Sequence, residues 1–272
     1  LGDVYKRQVM FCFKRWVDFA AALPAHFDFV SANEYQTLLI FAILFLAVFI
    51  LQNLQRKIVI IPVSVFCAFL LALIFSFQSD SNYHRITFFD CGLGDLCLIQ
   101  TAAGSTILID TGPTARTSQH FDRSALPYFR KNNIRTLDLL FITHAHNDHY
   151  GGLESVLANL DVKQLAVSDE FISHKVWQRY QEDIHQEGCE IITIIDTTSF
   201  YFDNLRLKIL HPDKDFSDEN INNNSIVIAA EFADFNILFT GDLEVEGEHY
   251  LLQKYPQYLP AEFLKVGHHG SK

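Results

Sequence analysis

The chain has 272 residues, 49% hydrophobic and 19% charged, which excludes a disordered tail and leaves room for one large domain or two ordinary ones. Its net charge of −11 is unevenly spread: residues 1–77 carry six basic and four acidic side chains, and residues 78–272 carry 15 basic and 28 acidic ones. The resulting −13 excludes a broad basic face for nucleic-acid phosphates, so any DNA contact there is local or carried by bound cations.

In residues 1–34, Phe13, Trp16, Val17 and Ala20 share one helical face, with Lys14, Arg15 and Asp18 elsewhere. This fits an interfacial segment or an amphipathic helix inside a larger membrane protein. Tyr35 to Gln55 contains no charge, and its 21 residues reach roughly 30 Å as a helix, the thickness of a bilayer core. Ile58 to Phe77 is a second apolar run, broken only by Pro62, Ser64 and Ser76, which membrane helices tolerate. Two membrane helices within 35–77 therefore form a hairpin. Arg56 and Lys57 in its turn place that turn in the cytoplasm, with residues 78–272 on the outer side of the cell membrane.

After a polar linker at 78–85, short apolar runs alternate with helical stretches. The predicted strands are Ile86 to Phe89, Leu96 to Thr101, Thr106 to Ile109, Leu137 to Ile142, Gln164 to Val167, Glu190 to Ile195, Arg206 to Leu210, Ser225 to Glu231, Asn236 to Phe239 and Phe263 to Val266. Helices are expected over Ser118 to Asn132, Gly152 to Asn159, His174 to Glu187 and Val245 to Lys254. Strands cluster first and then alternate with helices, so a layered α/β domain is expected over 86–272.

The chemistry gathers at strand ends. Leu139 to Thr143 runs into His144, His146, Asp148 and His149, followed by Gly151 and Gly152. Imidazole and carboxylate at this density suit Zn²⁺ or a similar divalent ion, with two histidines turned to one ion and the Asp-His pair to another. Three other strand ends carry shorter motifs: Asp110-Thr111-Gly112, Gly241-Asp242 and Gly267-His268-His269-Gly270-Ser271. Each alone is weak, because GD and DTG commonly mark turns.

Together these motifs resemble the metallo-β-lactamase superfamily, whose HxHxDH loop corresponds to His144–His149. Within it they resemble the C-terminal domain of ComEC-type DNA-uptake channel proteins. The closer likeness lies in Asp90-Cys91-Gly92-Leu93-Gly94-Asp95, Ile109-Asp110-Thr111-Gly112-Pro113, Asn222-Asn223-Asn224-Ser225 and the closing GHHGS. The resemblance implies an αββα sandwich that follows membrane helices, faces outward and stops at Lys272 short of a further strand and helix. It also implies two divalent metal ions, Zn or Mn. His144 and His146 would hold the first, Asp148, His149 and His268 the second, and Asp242 would bridge them. Asp148 and His269 are the candidate catalytic residues, His269 and Ser271 candidate substrate contacts, and Asp95 and Asp110 supporting groups that orient ligands. The implied function is a metal-dependent hydrolase, a phosphodiesterase acting on incoming DNA, with DNA, the membrane and other competence proteins as partners. The alternatives are a non-catalytic DNA-guiding module and a hydrolase of small esters or lactones.

One departure stands out. Where many superfamily enzymes have another histidine for the first metal, this chain has Asn222-Asn223-Asn224, whose amides either make a weaker, harder site or cap a turn. His84, His120, His174, His185, His211 and His249 lack motif spacing and are read as surface or packing residues, His211 beside Pro212 being the first exception to consider. The five cysteines are scattered and read as small buried residues, although Cys91 and Cys97 are near enough in sequence to pair. Arg116, Arg123, Arg130, Lys131 and Arg135 form the densest basic stretch, either a DNA contact or a solvated helix face. The chain starts at Leu1 without a signal-peptide pattern and reads as an internal fragment.

Overall fold

The computed structural model describes residues 83–271, except 115–120, 187 and 217, together with Ile43. The predicted membrane hairpin and the amphipathic segment before it lie outside the described residues, Ile43 apart. Among the described residues no helix is long and apolar enough to cross a membrane.

Two sheets face each other. The first runs β1 (Arg85–Phe88), β2 (Cys97–Gln100), β3 (Thr106–Ile109), β5 (Leu139–Ile142), β7 (Gln164–Ser168) and β8 (Glu190–Ile194) in that spatial order. Its first three strands are antiparallel and the rest parallel. The second sheet is ordered β13 (Phe263–Lys265), β12 (Asn236–Phe239), β11 (Val227–Glu231), β10 (Leu205–His211) and β9 (Thr198–Phe202), antiparallel except where β13 joins β12. A two-stranded ribbon, β4 (Thr136–Leu137) with β6 (Asp161–Val162), sits beside them.

Alternation along each strand assigns side chains to layers. In β5, Leu139 and Phe141 enter the core between the sheets, where they meet Leu207 and Ile209 of β10 and Ile228 of β11. Their neighbours Leu140 and Ile142 point the other way, into a core shared with helices α1 (Leu126–Lys131), α3 (Leu153–Asn159) and α5 (Trp177–Gln186). On the second sheet, Val227, Ala229 and Leu238 point outward beneath Leu251 of α6 (Val245–Lys254). The order helix, sheet, sheet, helix is the expected αββα sandwich.

Most predicted elements appear within one or two residues of their expected bounds. Two short helices inside polar segments, α2 (Asn147–Tyr150) and α4 (Asp169–Ser173), and the strands β6 and β9 lie outside the predicted elements, and the strand predicted over Leu137 to Ile142 divides into the end of β4 and β5. Of the helix expected over Ser118 to Asn132, the described part is a π-helical turn Phe121–Ala125 leading into α1. Cys91, Cys97 and Cys189 are free and buried, and burial raises the thiols of Cys91 to about 12 and Cys189 to about 11, so they serve as apolar filling.

Candidate metal centre

The site lies at one end of both sheets, where β3, β5 and β12 release the segments that follow them and where β11 begins. Ile142 is the last residue of β5, and Thr143 and His144 follow it fully buried. The chain then makes the single turn of α2 and comes back at Gly151 and Gly152. A Cβ at Gly151 would lie 2.1 Å from Thr114 N, and one at Gly152 would lie 2.3 Å from Thr111 O. Only glycine therefore lets the His-rich loop lie this close to the loop after β3.

That neighbouring loop supplies Asp110, fully buried with φ 59°. This left-handed conformation is costly for a residue with a Cβ and turns the carboxylate under the His-rich loop. Asp110 accepts hydrogen bonds from Thr143 N (2.8 Å), Thr143 Oγ1 (2.9 Å) and His149 Nδ1 (2.8 Å). With Nδ1 engaged, His149 turns Nε2 toward Asp242 Oδ2, 3.1 Å away, yet this buried nitrogen makes no aligned hydrogen bond. Burial disfavours a charge on the ring, but Asp110 and Asp242 outweigh it and raise His149 to about 10.

Asp242 is buried beyond the end of β12, its N–H donating to Ser225 Oγ at 3.1 Å. Desolvation pushes its carboxyl upward, and His149, His144 and Lys265 prevail to hold it well below the usual carboxylate range. Its Oδ2 lies 3.9 Å from His144 Nε2 and 3.4 Å from His269 Nε2. His144 Nε2 is 3.1 Å from His146 Nδ1, and burial followed by repulsion from His149 lowers the His144 pKa. Asp148 reaches the same place: its Oδ2 is 3.3 Å from His269 Nε2 and 3.9 Å from His149 Nε2.

The structure thus brings His144, His146, Asp148, His149 and Asp242 together. For the closing GHHGS segment, the resemblance implies His268 as the ligand, whereas the geometry sets the other histidine beside the centre. The histidine that joins Asp148, His149 and Asp242 is His269, and these four present one ligand atom each within 4.8 Å of one another. His268 faces the other way, with Nδ1 3.0 Å from Glu244 Oε1. His268 and His269 both adopt positive φ (44° and 51°) in this tight turn, and the two adjacent rings take different partners.

The asparagine segment mainly ties loops. Asn222 Nδ2 donates to Glu244 Oε1 (2.6 Å), Asn223 Oδ1 accepts from Glu244 N (3.0 Å), and Asn224 Nδ2 donates to Asp218 O (2.9 Å). Asn222 Oδ1 is buried without a hydrogen-bond partner. His211 is a packing histidine with a structural task, its Nε2 bonded to Asn223 O at 2.8 Å beneath Phe216 and Tyr250. Two neighbours of the centre went unrecognised in the sequence. Glu244 is one. Lys265 is the other, and alternation along β13 could have flagged it as an inward-pointing charge next to the GHHGS turn.

A four-layer sandwich with an HxHxDH loop and a buried acid at one sheet end defines a class of protein. Residues 91–272 match the Metallo-beta-lactamase superfamily, and the chain belongs to it. Among curated relatives it is similar to ComE operon protein 3 of Bacillus subtilis, 30% identical over 218 residues covering 76% of this chain and 28% of that protein. It is also similar to competence protein ComA of Neisseria gonorrhoeae, 29% identical over 195 residues covering 70% of this chain and 24% of that protein. Endoribonuclease ysh1 of Aspergillus fumigatus is 28% identical over 178 residues, covering 59% of this chain and 20% of that protein. The chain therefore spans about a quarter of the length of these relatives.

Proposed function

We propose that this chain is the metal-dependent phosphodiesterase module of a DNA-uptake protein, held at the cell membrane by helices within 35–77 and facing outward. The observation that carries the reading is the convergence of four imidazoles and two carboxylates from three separated segments, with His149 Nε2 buried and unbonded beside Asp242. Such a donor set fits divalent Zn or Mn. His144 and His146 would hold one ion, Asp148, His149 and His269 the other, and Asp242 both. Bound there, such ions supply an activated water and positive charge for a phosphodiester.

The rest is done by the protein. Asp110 and Thr143 fix the ring of His149, and Asp242 is held in place from behind. His146, Asp148 and His269 are the members that are not buried, so substrate meets the centre past them. The names of the competence relatives support DNA uptake, and that of the endoribonuclease supports attack on a phosphodiester. A second reading, a DNA-guiding module without catalysis, is favoured by Asn222-Asn223-Asn224 standing where the family resemblance implies a further imidazole.

Incubating the chain with DNA and Mn²⁺ or Zn²⁺ tests the proposal. Cleavage is expected, and Asp148→Ala should abolish it without unfolding the domain. Intact DNA alongside hydrolysis of a lactone or thioester would reject it. Labelling a cysteine at Ser79 but not at Gln55 from outside intact cells is the expected topology, and the reverse pattern refutes it.

A further inference from the structure

We propose that Lys265 is a positioning residue that holds Asp242 so that one oxygen of its carboxylate serves the centre. The inference deepens the metallohydrolase reading and rests on it for the metal-binding consequence. Lys265 ends β13, in register with Phe239 of β12. Strand alternation points Lys265 and Phe263 toward the facing sheet and Leu264 away from it. An inward-pointing lysine is unusual, and this side chain is only 13% exposed.

The environment accounts for it. The ammonium contacts the carboxylate of Asp95 from the loop between β1 and β2, donates to Gly241 O at 2.7 Å, and donates to Asp242 Oδ1 at 3.5 Å. Three N–H groups meet three acceptors. No proton is left to point at a substrate, which separates holding Asp242 from binding DNA. Lys265 also ties the two sheets together at the site, since Asp95 lies in a loop of the first and Asp242 just beyond a strand of the second.

Its effect on Asp242 follows. Oδ1 is taken by the lysine, so Oδ2 alone faces His149, His269 and His144, at 3.1, 3.4 and 3.9 Å. One oxygen is thereby presented to both halves of the donor set. With the ammonium removed, the carboxylate is free to turn about its terminal torsion, which is broad and roughly two-fold. Asp95 and Asp242 would then face each other without the cation between them.

The test combines a metal-free and a metal-dependent readout on the 272-residue chain. In metal-free protein, ¹⁵N NMR of the imidazoles should show the Nε2 resonances of His149 and His269 moving in Lys265→Met while those of His211 stay. Lys265→Arg, which keeps the charge and a multidentate donor, should restore them. In an Mn²⁺ titration followed by electron paramagnetic resonance, the second equivalent should bind at least tenfold more weakly to Lys265→Met. Should that variant not fold, Lys265→Gln carries the same comparison. Unmoved His149 and His269 resonances overturn the proposal, as does equal, measurable Mn²⁺ binding by both chains. Unmoved resonances with a raised KM for a phosphodiester would make Lys265 a substrate contact instead. If wild-type protein binds no Mn²⁺ but the resonances move as expected, the metallohydrolase reading fails and the positioning role stands.

Discussion

Asp110 and His149 are 39 residues apart in sequence and 2.8 Å apart in the fold, carboxylate to Nδ1, both fully buried. The contact fixes which nitrogen of the ring faces Asp242, as carboxylate–histidine pairs do beside metal ions.

Asp110→Asn leaves one acceptor where three donors converge, so His149 loses its orientation. Divalent-metal affinity is expected to fall about 10–100-fold, and the His149 pKa to drop from about 10. Calorimetric titration with Zn²⁺ and an NMR pH titration read the two effects. Wild-type affinity in a folded variant would contradict the orienting role.

The pH dependence of the metal-free protein has two limbs. The folded-state pKa of His149 is raised from 6.5 to about 10, so its stabilising contribution is complete below 6.5 and lost as pH rises through 10. His211 moves oppositely, lowered from 6.5 to about 4 mainly by burial, so its contribution is present above 6.5 and lost as pH falls through 4. That acid-side loss is about 3 kcal/mol. Urea unfolding in a chelator across this pH range should show both limbs, and His211→Gln should make the acid one, to which buried His144 also contributes, shallower. An unchanged acid slope in that variant would refute the assignment.

Gly151→Ala forces a Cβ to 2.1 Å from Thr114 N and 2.4 Å from Asn147 O, both backbone atoms that cannot rotate away. Destabilisation of about 1–3 kcal/mol is expected. Leu93→Ala, at a side chain 82% exposed, should stay within about 0.5 kcal/mol. Equal melting temperatures for the two variants would show that the loops do not need this close approach.

Phe141 is fully buried between the sheets, its ring edge-on to Phe200 at 5.5 Å between centroids. Phe141→Ala removes that contact and leaves a cavity, at about 3–5 kcal/mol. Denaturant unfolding measures it, and a loss below about 1 kcal/mol would mean that the two sheets do not share this core.

Local pattern was enough for the layers and for most of the donor set. Strands such as Thr106–Ile109 and Asn236–Phe239 are apolar runs that stop at an acid or glycine, so both the strand and the chemistry at its end are visible in a few residues. β9 was missed because Thr198–Phe202 is an edge strand, half-exposed on both faces, and lacks a clean two-residue alternation. The helix α2 was hidden because a single turn inside a polar motif has no periodicity to read.

The roles inside the centre depended on distance through space. His268 and His269 are the same residue type side by side, and only the left-handed turn settles which ring meets Asp148 and Asp242 and which meets Glu244. Lys265 and Asp95 are 170 positions apart and belong to different sheets, so their pairing exists only once the sheets stack. Backbone periodicity is a property of neighbours along the chain and survives in the sequence. The partner of a buried charge is chosen by which loops the two sheets bring to the same end, and no spacing along the chain encodes that.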